Sequence, residues 1–271
     1  MPSSRTRGKQ LITACEEDNV EAVKRILSGI SGFDSKARSA VLNYVDENNG
    51  YSPLHWAAND GMDEIVELLI SAGADLDKHV IGHGATPLYL AVQKQSISTI
   101  KLLLSHGADP LLQISDKEGS CPFFMAIQIG SLDIVEAIVL SRNDLQLGHA
   151  VKTINGERFS ALSFAGIHGK KAILKFLLSH GADVNFHTDP ADGSVVKTAL
   201  QQAASRGRDG CVKALLDAGA DANWSAILAG PAMMMAAYNH KASTVSLLIE
   251  HGADANANIL GATPLLAAVD V

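Results

Sequence analysis

Residues 52–75 read SPLHWAANDGMDEIVELLISAGAD, residues 86–109 read TPLYLAVQKQSISTIKLLLSHGAD, and residues 160–183 read SALSFAGIHGKKAILKFLLSHGAD. The three stretches share one length and one order of residue types. A chain written this way has to fold as one small unit stacked on copies of itself, because a single unit of this size cannot bury its own apolar face. The first residue of the unit falls at Ser52, Thr86, Cys121, Ser160, Thr198, Pro231 and Thr263, at intervals of 34, 35, 39, 38, 33 and 32 residues. The third residue is apolar throughout (Leu54, Leu88, Phe123, Leu162, Leu200, Met233, Leu265). The sixth is always alanine, at 57, 91, 126, 165, 203, 236 and 268. A site that takes only a methyl group in every copy predicts a close approach of two helices.

The grammar inside each unit is that of two helices. An opening Ser or Thr supplies a hydroxyl for the free N–H groups of the first turn, and proline at the next position removes one donor that would otherwise lack a partner. Gly61, Gly130, Gly169 or Gly207 then ends the short first helix. A second apolar pattern at helical spacing follows, as in Ile65, Val66, Leu68 and Leu69 or Ile173, Leu174, Phe176 and Leu177. It stops at Gly73, Gly107, Gly181, Gly219 or Gly252, with Arg142 in place of glycine in one unit. Each unit therefore reads as helix, turn, helix and exposed connection.

Composition agrees with helices that pack closely on small side chains: hydrophobic residues make up 47% of the 271 and aromatic residues only 5%. The net charge of −7 gives the chain no general attraction to phosphates. Nucleic acid and anionic membrane are thus not expected as partners. Three cysteines, Cys15, Cys121 and Cys211, lie far apart without a CxxC pair, which suits a reducing compartment. No run of about 18 uncharged apolar residues occurs. A cytoplasmic setting is expected; a nuclear or host-delivered chain would read the same.

The motifs SPLHWAA (52–58), TPLYLAV (86–92) and ATPLLAA (262–268), with the recurrent Gly-Ala-Asp, resemble those of ankyrin-repeat proteins over nearly the whole chain from residue 11 onward. The resemblance implies an all-α solenoid of stacked antiparallel helix pairs with projecting hairpin-like loops. On that pattern residues 1–10 are a flexible tail and 11–45 a degenerate capping repeat. Six full repeats start near 47, 81, 116, 155, 193 and 226, and a truncated repeat occupies 258–271. Three connections, 29–50, 145–159 and 186–197, are longer than a standard finger; 37–42 has room for an extra turn of helix. The repeat opened at Thr263 stops within its first helix, so the chain is expected to be a fragment of a longer one.

No constellation for chemistry stands out. His106, His180 and His251 hold one position in three repeats, roughly 10 Å apart in such a stack and too far to share a metal; capping of helix C-termini is the expected role. The two histidines of HVIGHGA (79–85) are separated by glycines. Cys15 and Cys211 fall at apolar positions, and Met233, Met234 and Met235 lie on a first helix with one of them facing the core. G-x-S-x-G and G-x-x-x-x-G-K-[ST] are both absent. Catalysis, metal, cofactor and small-molecule ligand are accordingly not expected.

Ankyrin domains bind protein partners through finger tips and the exposed side of their first helices, which line a concave face. The resemblance thus implies contact residues at Tyr51, Asn59, Asp60, His83, Gln93, Lys94, Gln128, Ile129, Phe159, Ile167, His168, Arg206, Tyr238 and Asn239. It also implies asparagine hydroxylation sites at Asn185, Asn223 and Asn256, each with a leucine eight residues upstream and an aspartate two residues upstream. The expected function is a non-catalytic scaffold that binds a protein partner. The alternative is the recognition segment of a longer enzyme, channel or secreted effector whose active part lies beyond residue 271.

Overall fold

A computed structural model describes residues 3–114, 120–142, 147, 151–154, 157–187, 197–225, 230–257 and 263. The chain divides into two compact units, one comprising 1–126 with 133–143 and the other 127–132 with 144–271. The expected run through 258–271 and most of the 186–197 connection lie outside the described residues.

The first unit begins with α1 (Ser4–Glu16) and α2 (Val20–Ser28), followed by α3 (Ser35–Leu42). The helix pairs α4 (Pro53–Asp60) with α5 (Asp63–Ser71) and α6 (Pro87–Lys94) with α7 (Ile97–Ser105) come next, then α8 (Pro122–Ile129), whose last residues fall in the second unit, and α9 (Leu132–Ser141). Within this unit the inner helices α4 and α6 pack on one another, as do the outer helices α5 and α7. The expectation of a flexible tail over 1–10 is overturned from residue 4 onward. Ser3 caps Thr6 N–H at 3.2 Å, and Leu11, Ile12, Ala14 and Cys15 bury one face of α1. Gly8 admits α3's neighbour: a Cβ there would stand 2.5 Å from Tyr44 Cβ. The long connection 29–50 holds α3, two residues longer at its start than the segment expected from sequence, with Asp34 as its N-cap.

The second unit holds a two-stranded antiparallel ribbon, β1 (Val151–Ile154) and β2 (Glu157–Ser160), then α10 (Ala161–Ile167) with α11 (Lys171–Ser179). The pairs α12 (Ala199–Ser205) with α13 (Asp209–Asp217) and α14 (Ala232–Tyr238) with α15 (Ala242–Glu250) complete it. Inner helices α10, α12 and α14 pack in series, and so do outer helices α11, α13 and α15. The alanines at the sixth position, from Ala57 to Ala236, are each 0% exposed. The methyl-only position is thus the seam along which inner helices meet.

Side-chain ladders tie each repeat to the next. Asn43 Oδ1 accepts from Asp75 N–H at 2.9 Å, Asp77 from Asp109 N–H at 2.9 Å, Asn185 from Asp221 N–H at 2.9 Å and Asn223 from Asp254 N–H at 2.8 Å. Arg142, where the other repeats carry glycine, continues the row by pairing with Asp109 at 3.1 Å. A second row joins outer helices: the buried hydroxyls of Thr99 and Thr244 donate to Asp63 and Asp209 one repeat earlier.

Candidate protein-interaction surface

In two repeats the fourth residue of the unit helps to start the inner helix. His55 Nδ1 accepts from Ser52 N–H at 3.1 Å, which leaves Nε2–H to donate to Ala85 O at 3.1 Å. Gln201 does the same work with a carboxamide. Its Oε1 accepts from Thr198 N–H at 2.8 Å, and its Nε2 donates to Gly230 O at 2.7 Å. His55 is 0% exposed, and burial pushes its pKa down to about 4. His55 and Gln201 are therefore framework.

Around this framework the residues expected to meet a partner fall into groups. In the first unit Tyr51 stands edge-on to Trp56, with ring centroids 5.4 Å apart, and to His83 at 6.4 Å. Tyr51 is half-buried; burial, then the charge of Asp60, raises its pKa. His83 is exposed and accepts from Ala85 N–H at 3.3 Å, while His79 Nδ1–H donates to Gly84 O at 2.7 Å. Both histidines of this loop thus shape its turn. Asn59 binds Asp60 at 2.6 Å. Asp60, Gln93 and Lys94 are exposed at the end of their helices.

In the second unit a groove of about 810 Å³ runs beside β2, α10, α12 and α14. It gathers Phe159, Ile167, His168, Arg206 and Asn239, five residues that the family pattern had marked one by one. Tyr238, 62% exposed, sits beside Asn239. Gln128 is exposed, whereas Ile129 is half-buried and its carbonyl accepts from Lys170 Nζ at 3.2 Å.

Phe159 requires a correction: it is only 5% exposed. The ribbon register pairs it with Lys152 and turns its ring onto Phe164, centroids 6.3 Å apart. Alternation along a strand gave it to the wall of the groove, a consequence that no helical repeat pattern carries. Among the methionines, Met233 is 1% exposed, and Met235 lines the groove.

Gln202, Ser205, Lys197 and Arg208 also line it and were missed. For Gln202 a signal existed. The fifth position of the unit is Trp56, Leu90, Met125, Phe164 and Met235 in the other repeats, so a carboxamide there breaks an otherwise apolar column.

The asparagines with a family modification pattern have structural duties. Asn185 and Asn223 hold the ladder described above, and each also donates to the next repeat's glycine carbonyl, Gly219 or Gly252, at 3.4 Å. The repeated histidines behave as helix caps: His180 Nδ1–H donates to Phe176 O and His251 Nδ1–H to Leu247 O, both at 2.9 Å. His106 faces Glu67 at 3.5 Å. Cys15, Cys121 and Cys211 are buried and form no disulfide with one another, and burial pushes the Cys15 thiol up to about 12. Among the described residues no helix is long and apolar enough to cross a membrane.

Stacked helix pairs with a shared methyl seam, asparagine ladders and variable residues on the finger side define a repeat-built interaction module. The family model for ankyrin repeats (3 copies) matches residues 9–80, 77–148, 123–226 and 200–270. The chain belongs to the ankyrin-repeat family. Among solved structures it is similar to the ankyrin repeat domain of Bcl-3, a member of the IkappaB protein family, with a TM-score of 0.68 and 27% identity over 81% of this chain and 95% of that one. The human ASB11 ankyrin repeat domain shares the fold, with a TM-score of 0.65 and 23% identity over 90% and 98% of the two chains. By sequence it is 34% identical over 131 residues to the B-cell lymphoma 3 protein homolog of Mus musculus, and 32% identical over 126 residues to alpha-latrocrustotoxin-Lt1a of Latrodectus tredecimguttatus. Those alignments cover 48% and 46% of this chain but only 28% and 8% of the relatives. Ankyrin repeats are protein-interaction modules, and in general non-catalytic ones.

Proposed function

We propose that this chain is a non-catalytic scaffold that holds a protein partner on its inner-helix and finger-loop side. One observation carries the reading. The residues that recur between repeats are consumed by the seam and the ladders, while those that differ, such as Gln93 and Lys94 in the first unit and Arg206 and Tyr238 in the second, stand exposed at the ends of their inner helices. Preformed repeats present these side chains with little ordering left to do on binding, which is the advantage a scaffold has over a flexible loop. Exposed Tyr and Arg are residue types that carry binding energy at interfaces.

The test is site-specific photo-crosslinking in cells. A crosslinker placed at Gln93 or Tyr238 is expected to trap one partner, and the same group at Lys101 or Lys213, exposed on the outer helices α7 and α13, is not. Adducts confined to the outer positions would reverse the assignment of the binding side.

A second reading, that these residues are the recognition segment of a longer enzyme, channel or effector, is favoured by relatives that extend far beyond the matched region. The intact mass of the protein from its source distinguishes the two. A mass near 28.5 kDa supports a free-standing scaffold, and a much larger one supports the recognition segment.

A further inference from the structure

Gln202 is 4% exposed, it lines the groove of the second unit, and its side-chain amide has no hydrogen-bond partner among the described residues. The buried side-chain polar atoms without a partner among the described residues are Arg38 Nε and Trp56 Nε1, so the Gln202 amide is not sealed off and opens to the groove, where it can bond an occupant. The neighbouring carboxamide of Gln201 is engaged on both its oxygen and its nitrogen, so the two glutamines differ in what they still offer. A carboxamide presents one donor side and one acceptor, the complement of a single peptide group.

The charge around it has one sign. Arg206, Arg208 and Lys197 line the groove, and no carboxylate does among the described residues. Arg208 is partly committed, donating to Ile167 O at 3.4 Å, whereas Arg206 is exposed at the C-terminal end of α12. The chain as a whole carries −7. With only positive charges among its described lining residues, the groove attracts an acidic segment, which steers such a partner here. Phe159, Phe164 and Met235 add apolar walls to the same groove. The groove crosses three consecutive repeats, a length suited to an extended strand of partner and not to a compact ligand.

We infer that the groove over α10, α12 and α14 binds an extended acidic peptide segment of the protein partner. Gln202 pairs with a backbone amide of that segment, Arg206 with one of its carboxylates, and apolar side chains between the acidic ones sit against Phe164 and Met235. The inference rests on the scaffold reading above and narrows it to one partner chemistry.

Fluorescence anisotropy on the full 271-residue chain tests it. The probes are fluorescein-labelled octapeptide pools with Glu or Asp at alternate positions and Leu, Phe or Val between, the matching Lys/Arg pools, and labelled oligouridine. The variants are Arg206→Glu, Gln202→Met, which installs the residue that two sister repeats carry, and Lys101→Glu as a control on an outer helix of the first unit. Circular dichroism and melting midpoints confirm that each is folded.

The expected result is preference for the acidic pools, weakened about tenfold by either groove variant, as loss of a charge-assisted or desolvated hydrogen bond requires, and unchanged in the control. Absence of acidic-pool binding, equal binding of basic pools, tighter binding of oligouridine, or an Arg206→Glu effect no larger than that of Lys101→Glu would each overturn the inference. The scaffold reading is judged separately by the crosslinks at Gln93 and Tyr238. Crosslinks without peptide selectivity would keep the scaffold and discard the acidic segment; peptide binding with crosslinks only at the outer helices would do the reverse.

Discussion

At the scale of single residues, His55 and Gln201 show one role filled by two chemistries, and the difference is a matter of pH. His55 must stay neutral, since Nδ1 accepts from Ser52 N–H. Its pKa in the fold is about 4 against 6.5 as its ordinary value. The unfolded chain thus takes up the proton first as pH falls. The stability His55 contributes is whole above about pH 6.5 and is lost as pH drops toward 4. That loss amounts to roughly 3 kcal/mol at most. His55→Gln copies the arrangement at Gln201, and is expected to retain most stability at pH 7 and to remove about 2–3 kcal/mol of the fall between pH 7 and 4.5. Urea midpoints of the two proteins at both pH values check this; parallel losses would mean that His55 is not the group being protonated.

Asn185 makes a complementary case. Asn185→Ala leaves Asp221 N–H without its acceptor and is expected to cost about 1 kcal/mol, read from denaturant midpoints.

At the scale of elements, the inner helices need a tight seam and an abrupt end. Ala165 is 0% exposed on α10, in the series α10, α12, α14. Ala165→Leu is expected to destabilise by about 1–3 kcal/mol through forced off-rotamer packing, and an unchanged melting midpoint would remove this residue from the seam. The end of the inner helix requires left-handed backbone. Gly61, Gly130, Gly169 and Gly207 supply it, but Gln95 at φ 60° and His240 at φ 57° take the same turn with a side chain. His240→Gly is expected to raise stability by about 0.5–1 kcal/mol, because relief of the left-handed strain exceeds glycine's entropy cost. A lower midpoint for His240→Gly would show that its ring makes a compensating contact.

At the scale of the whole molecule, stability in a repeat stack is close to a sum over repeats and their neighbours, so exposed edge residues can change without loss of fold. Tyr51→Ala, Arg206→Ala and Tyr238→Ala together are expected to leave the melting midpoint within a few degrees and to abolish capture of the partner. Phe159 is kept out of that set because it is buried, and its removal would open a cavity costing about 3–5 kcal/mol.

The repeat, the methyl seam and the helix pairs were legible from residues 52 onward because each is enforced in every copy by a local requirement: a cap, a small residue at a contact, a turn that needs positive φ. The start of α1 was not, since residues 4–10 lack an apolar stripe and are held by Tyr44 and the α3 segment far along the chain. The sequence by itself determined the unit, its period and which residues build its framework, as these depend on neighbours a few positions away. The tertiary structure alone decided which side chains share a surface. Phe159, Gln202, Arg206 and Asn239 lie in three different repeats, and only stacking, with the strand geometry of β2, brings them to one groove.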